Sequence, residues 1–307
     1  MIYLLGCILA GIGLWWSTQR FVNSSELLAA HLGLNATAGG AILIAVLTSM
    51  PELVVSIQAT HLGHFDMALG NILGSVWANT CLILGVLSII RPVRIKLSTL
   101  NFDQSIHLVL ILLILWGYYL SVPIWLLSLL MFLVYVVYIL YVVQGPVQPV
   151  AINQPMKQNY WHESIKTLFW GVVLLLTSYL LVTCAAAMAK IMSMSPYWIG
   201  LTVVAIGTSL PELSAAMVSH QKKQDDWVLG NALGSNVFLL SVVLPIILCM
   251  DITGLTDGML TSIAVMGWML IATFLMLRYF DRSEYQLNRF EGMILVGIYI
   301  VYLVFSA

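Results

Sequence analysis

The chain has 307 residues, 61% of them hydrophobic and 8% charged, with a formal net charge of −1. Soluble domains carry about 25% charged residues, so water is excluded as the main solvent and an integral membrane protein is expected. A near-neutral charge balance also offers nothing to nucleic acid.

A membrane span needs about 20 apolar residues, and ten segments qualify. The first, 2–22, has neither a basic leader nor a small-residue cleavage site, so it reads as a span and not as a signal peptide. Its helix can run on through SSELLAAH. Spans at 36–60, 67–90, 104–120 and 123–143 follow. Then comes QGPVQPVAINQPMKQNYWHE at 144–163, whose three prolines and amides predict an irregular linker. The remaining spans are 164–188, 196–219, 227–249, 258–279 and 290–306. The expected fold is therefore all-α and integral to the membrane, with ten transmembrane helices. Residues 1–143 form one five-span unit, 144–163 a cytoplasmic linker, and 164–307 a second five-span unit.

Basic residues orient the chain. With both termini outside, eleven of the twelve Lys and Arg fall in cytoplasmic positions, and Lys190 alone falls outside. Of the thirteen acids, eleven lie in or near loops. Only Glu52 and Glu212 are left within the hydrocarbon, and each sits in a TS-x-PE motif: TSMPEL at 48–53 and TSLPEL at 208–213.

These two glutamates are 160 residues apart, and the register extends further. Ala45 matches Ala205, Thr48 matches Thr208, Ser49 matches Ser209, and Pro51 matches Pro211. GNILGS at 70–75 matches GNALGS at 230–235 at the same offset, without a gap. Chance likeness between apolar helices would not align polar residues, Gly and Pro in one register. This is an internal duplication. An odd number of spans per copy makes the copies inverted, an architecture that places a site at the midplane where broken helices meet.

The motif chemistry is that of oxygen donors. Proline has no N–H, so the carbonyl four residues earlier (Leu47, Gly207) loses its helical donor. Thr and Ser add hydroxyls and Glu a hard anionic oxygen, a set suited to Na+ or Ca2+. With no His or Cys interleaved, zinc and copper are disfavoured. An intramembrane acid points to function, and no Lys or Arg lies mid-span to neutralise either glutamate. Two glutamates supply −2, which matches one Ca2+ or two Na+; protons are a third competitor. The second motif adds Asn71, Ser75 and Asn79, and Asn231, Ser235 and Asn236. Its glycines, four apart, allow helices to approach closely.

Other features read as structural. Cys7, Cys81, Cys184 and Cys249 sit singly and are expected to be small buried residues. His61, His64 and Asp66 read as interfacial polar residues, and Trp15, Trp16, Trp116, Trp125 and Trp198 as interface anchors. Trp77 is read as packing, and the Met-rich 188–195 as an adaptable helix end. No nucleophile–base pair appears, so no enzyme is expected.

At AVLTSMPELVVS with GNILGSVWAN, and AIGTSLPELSAA with GNALGSNVFL, the chain resembles the sodium/calcium exchanger family, across the whole ten-span layout. The resemblance implies cation sites at Thr48, Ser49, Glu52, Ser75 and Asn79, and at Thr208, Ser209, Glu212 and Ser235. Backbone carbonyls of Ala45 and Ala205 would complete the sodium sites, and sliding of the first and sixth spans would switch access. It implies Na+/Ca2+ antiport by a compact prokaryotic-type member in the plasma membrane, with no cofactor beyond the transported ions. Three positions depart from the family pattern: Leu47 for Gly, Val76 for Asn, and Leu239 for Asn or Asp. Leu239 removes an oxygen donor from the central site, which keeps H+/Ca2+ exchange open as an alternative. A non-transporting membrane cation sensor or scaffold is the third reading.

Overall fold

The computed structural model describes residues 2–94, 97–144, 160–191, 205–250, 267 and 286–305. Of the predicted 144–163 linker, expected to be irregular, residues 160–163 are already helical. Its residues 145–159, the ninth predicted span at 258–279 (Gly267 apart), Trp198 and half of the Met-rich stretch lie outside the described residues. So do several charges used for orientation, among them Lys157, Arg278, Arg282 and Asp257.

Among the described residues, helices occupy the positions expected for the other nine segments, the seventh from residue 205 onward. They are α1 (Ile2–His31), α2 (Ala36–His61), α3 (Phe65–Ile90), α4 (Leu97–Tyr119), α5 (Ile124–Gln144), α6 (Tyr160–Ile191), α7 (205–221), α8 (Asp225–Met250) and α9 (Arg289–Phe305). Among the described residues, α2, α3, α5 and α8 are long and apolar enough to cross a membrane by length and composition. As its apolar pattern allows, α1 continues through SSELLAAH.

Local chemistry sets several boundaries. Asn35 caps α2 by accepting from the Ala38 N–H at 2.8 Å, while its amide donates to the Val142 carbonyl at 3.0 Å and ties down the end of α5. A reciprocal box opens α9: Asn288 Oδ1 accepts from the Glu291 N–H, and Glu291 Oε2 accepts from the Asn288 N–H. A two-residue antiparallel pair, β1 (Val93–Arg94) with β2 (Gln286–Leu287), joins the segment after α3 to the one before α9. Nothing in the hydropathy pattern announces it.

The helices divide by burial. Along α3 and α8 nearly every residue is buried, including Trp77 and Trp227. By contrast α1, α4, α5, α6 and α9 turn large apolar side chains outward, among them Ile12, Trp116, Phe132, Leu176 and Ile300. Apolar residues both inside and outside mark a protein whose surroundings are themselves apolar. α1 and α6 lie side by side. Gly6 and Gly13 permit this, since a Cβ there would meet Cys184 Sγ at 2.7 Å and Thr177 Cγ2 at 3.0 Å. Arg20 caps the contact, 4.4 and 5.0 Å from the ring centroids of Trp16 and Trp170.

The cysteine expectation needs correction. Cys81 is buried, but Cys184 is half-buried and Cys249 is exposed, donating to Ser128 Oγ at 3.2 Å. Thiols are apolar enough to face an apolar solvent as readily as a core. Trp77 packs as expected, stacked on Tyr302 with centroids 4.8 Å apart.

Candidate functional site

Among the described residues, two breaks and three π-helical segments shape the centre. α2 is interrupted at Ser49 (φ −86°, ψ 6°) and α7 at Ser209 (φ −80°, ψ 1°), each one residue before the helical turn that holds Pro. The proline cannot donate, so the ladder restarts after it, with Leu53 N–H to Ser49 O at 3.2 Å and Leu213 N–H to Ser209 O at 3.0 Å. Glu52 and Glu212 therefore lie in the first turn of the restarted helices, where the backbone dipole favours a negative charge. π-helical turns run over Gly39–Ile44 in α2, Ala78–Ile83 in α3 and Leu239–Val243 in α8. The last two fall in the 160-residue register of the repeat. Such turns concentrate at functional sites.

Close backbone approach locks α2 to α8. A Cβ at Gly40 would stand 2.9 Å from the Trp227 carbonyl oxygen, and one at Gly234 would stand 2.8 Å from Ala41 Cα. Any side chain at these positions would push the helices apart.

The sequence-predicted side chains converge here. Thr48, Ser49, Glu52, Ser75, Asn79, Thr208, Ser209, Glu212 and Ser235 are all buried. Their hydrogen bonds come in pairs that exchange the copies. Ser49 donates to Glu212 Oε1 at 2.8 Å, and Ser209 donates to Glu52 Oε1 at 3.4 Å. Thr48 approaches Asn231 Oδ1 at 3.3 Å, and Thr208 donates to Asn71 Oδ1 at 3.2 Å. The asparagine amides reach back to the Glu backbone: Asn231 Nδ2 to Glu212 O at 3.0 Å and Asn71 Nδ2 to Glu52 O at 3.4 Å. Ser75 bridges the copies, 3.5 Å from both Glu52 Oε1 and Thr208 Oγ1.

Four site oxygens are buried without a hydrogen-bond partner: Glu52 Oε2, Glu212 Oε2, Asn79 Oδ1 and Ser235 Oγ. Leaving such atoms unpaired costs about 1–3 kcal/mol each, more when charged. Among the described residues no ion pair involves either glutamate. Nor do three or more His, Cys, Asp or Glu side chains gather to hold a metal among those residues. What remains is a buried, oxygen-only donor set with two carboxylates, the type that hard cations take.

The backbone donors fare differently. Ala45 O already accepts from the Ser49 N–H at 3.0 Å and faces Thr48 Oγ1 at 3.3 Å. A cation at that carbonyl would turn the Thr48 hydroxyl away. Ala205 opens the matching short helix, Ala205–Thr208. Leu239 is fully buried in the apolar core.

Asn71 and Asn231 stand outside the predicted ligand set, yet they hold the motif threonines and the Glu carbonyls in place. Their identity at one offset was the available signal. Thr80 and the role of Asn236 had no such signal, because neither is repeated.

The Sodium/calcium exchanger protein family model matches residues 2–144 and 164–307. CaxA of Alkalimonas amylolytica, which bears an antiporter's name, is 31% identical over 310 residues, covering 95% of each chain. The sodium/calcium exchanger MaX1 of Methanosarcina acetivorans is 26% identical over 351 residues, covering 99% of this chain and 97% of that one. A solved structure of the sodium-calcium exchanger NCX_Mj, soaked with 10 mM Na+ and zero Ca2+, superposes with a TM-score of 0.76. Its identity is 24%, and coverage is 99% of this chain and 98% of that one, so the two share a fold. With the family model matched on both sides of the linker and a 31% identical relative aligned nearly end to end, this chain belongs to the sodium/calcium exchanger family of multi-pass membrane proteins.

Proposed function

We propose that the protein is a secondary-active antiporter exchanging Ca2+ for Na+ by alternating access at a midplane site. Glu52 and Glu212 are its charged ligands. Thr48, Ser49, Ser75, Asn79, Thr208, Ser209 and Ser235 supply neutral oxygens, and the Ala45 and Ala205 carbonyls complete the sodium positions. The observation that carries the reading is the set of four buried, unpartnered oxygens, two of them on carboxylates with no basic partner among the described residues. Buried like charges are tolerable only when a counter-charge visits them. MaX1 and NCX_Mj, whose names specify sodium and calcium, favour these two ions.

The chain works as two inverted five-helix halves, 1–143 and 164–307, joined by a cytoplasmic linker at 144–163. It sits in the plasma membrane with both termini outside. Supporting this orientation, segments assigned to one side by their basic residues touch one another. Lys222 bonds Glu26 at 2.7 Å, Arg91 bonds Asp225 at 2.6 Å, and β1 pairs with β2.

Leu239 motivates a second reading, H+/Ca2+ exchange. An apolar side chain stands where the family pattern places an Asn or Asp, so one sodium site lacks a donor. Proteoliposomes loaded with Ca2+ and given separate Na+, K+ and H+ gradients decide between them. The first reading expects 45Ca2+ flux driven by Na+ alone; flux driven by H+ without Na+ selects the second. Leu239→Asn, measured alongside, is expected to raise the Na+-driven share. Binding of Ca2+ with no flux under any gradient would instead support a sensor.

A further inference from the structure

We propose that Thr80 and Asn236 are positioning residues that fix which end of the Asn79 amide faces the cation. This inference rests on the site reading above. The chain of bonds begins at a group that can only accept. The Thr80 hydroxyl lies 2.9 Å from the Val76 carbonyl, so its hydrogen is committed there and its lone pairs face away. Asn236 Nδ2 stands 2.7 Å from Thr80 Oγ1 and donates to it. The Asn236 carbonyl oxygen is thereby turned toward Asn79, whose Nδ2 donates to it at 3.1 Å. One orientation dictates the next, and the last atom is Asn79 Oδ1, buried and unpartnered.

The three side chains are fully buried, which removes the water that would otherwise let an amide turn freely. Reversing Asn79 would set its NH2 dipole at the cation and bring two carbonyl oxygens together at Asn236. Only the observed sense offers an oxygen, and the backbone of α3 determines it.

The relay exists once, and its parts come from both copies. Asn79 and Thr80 belong to the first; their register mates are Leu239 and Leu240. Asn236 belongs to the second, and its mate is Val76. The departures at Val76 and Leu239 are therefore linked through one relay. Without a polar side chain at 239 or 240, an Asn at 76 would have nothing to orient and nothing to hold it, and an apolar residue fits better. The central site keeps a single lateral amide oxygen of fixed sense.

The test uses the full chain in proteoliposomes, with the half-saturating Ca2+ concentration for 45Ca2+ flux as readout and monodispersity in detergent as the folding check. Asn236→Leu and Thr80→Val are each expected to raise that concentration about tenfold, the weight of a hydrogen bond to a charged group. Thr80→Ser, which keeps the hydroxyl, is expected to stay near the parent value. An Asn79→Asp background presents oxygen from either end, so there the effect of Asn236→Leu should shrink to about twofold or less. If Asn236→Leu does not fold, the Thr80→Val and Thr80→Ser pair, differing at one hydroxyl, decides alone. Asn79→Ala separates the two levels of inference. If it weakens Ca2+ while Thr80→Val does not, the relay is overturned and the site reading stands; if it changes nothing, both the ligand role of Asn79 and the relay are overturned.

Discussion

In the first copy of the repeat Ser49 holds the opposite glutamate at 2.8 Å, and in the second Ser209 does so at 3.4 Å. Away from this centre the copies part company. Thr60 and Phe65 stand where the second copy has His220 and Asp225. His220 and Asp225 join Arg91 in a charged cluster: Arg91 donates to Asp225 Oδ1 at 2.6 Å and to the His220 carbonyl at 3.0 Å, and the Arg94 N–H donates to Asp225 Oδ2 at 3.1 Å. Thr60 merely donates to the Ser56 carbonyl in its own helix, at 2.9 Å. The centre is nearly two-fold, while among the described residues the ionic ties between helices gather at one end. On the orientation and alternating access proposed above, the tied end is cytoplasmic, and opening there would have to break this cluster.

The largest effect should come from attacking what the copies share. Glu52→Gln and Glu212→Gln each leave a bound cation with one carboxylate ligand fewer, and removing one member of a buried charged set costs about 3–5 kcal/mol. Both variants should therefore lose gradient-driven 45Ca2+ flux by about 100-fold or more. Full activity in both would end the proposed site. A smaller effect should expose the inequality of the serines. Ser49→Ala removes the shorter bond to a carboxylate, worth about 1.5–3 kcal/mol, and is expected to weaken Ca2+ more than Ser209→Ala does. Equal losses would mean that distance does not rank them.

Asp225→Asn breaks the tie at one end only. Because Arg91 is a third exposed, solvent screens the pair, and a several-fold shift is expected in the ratio of Ca2+ affinities measured from the two faces. An unchanged ratio would leave the cluster a structural anchor. The smallest effect belongs to Lys222→Met. Its bond to Glu26 lies at the surface, where such pairs contribute about 0–1 kcal/mol, and flux should stay within about twofold.

Much of this was legible in the sequence, for physical reasons. Apolar runs fix where helices form, and a proline beside Ser49 or Ser209 fixes where they break. Charges that resist burial single out Glu52 and Glu212 by elimination. The pairing between copies was not legible. An offset of 160 says which residues are equivalent, but not that Ser49 answers to Glu212 instead of to Glu52. That depends on how two broken helices cross. The π-helical turns in α3 and α8 were hidden as well, because one extra residue in a turn leaves no mark on hydropathy. Asn236 was visible as a polar residue, but its task depends on Thr80, 156 positions away.

The exchanged serines also say something about how such a molecule can be assembled. Two identical half-length chains, packed antiparallel, would make both bonds from a single Ser and a single Glu, so each contact encoded once would count twice. Joining the halves ends that economy and frees each copy to specialise. Asn79 in one copy against Leu239 in the other, and Thr60 against His220, are what that freedom looks like. The Ser–Glu exchange is the part of the old symmetry that neither half can relinquish alone.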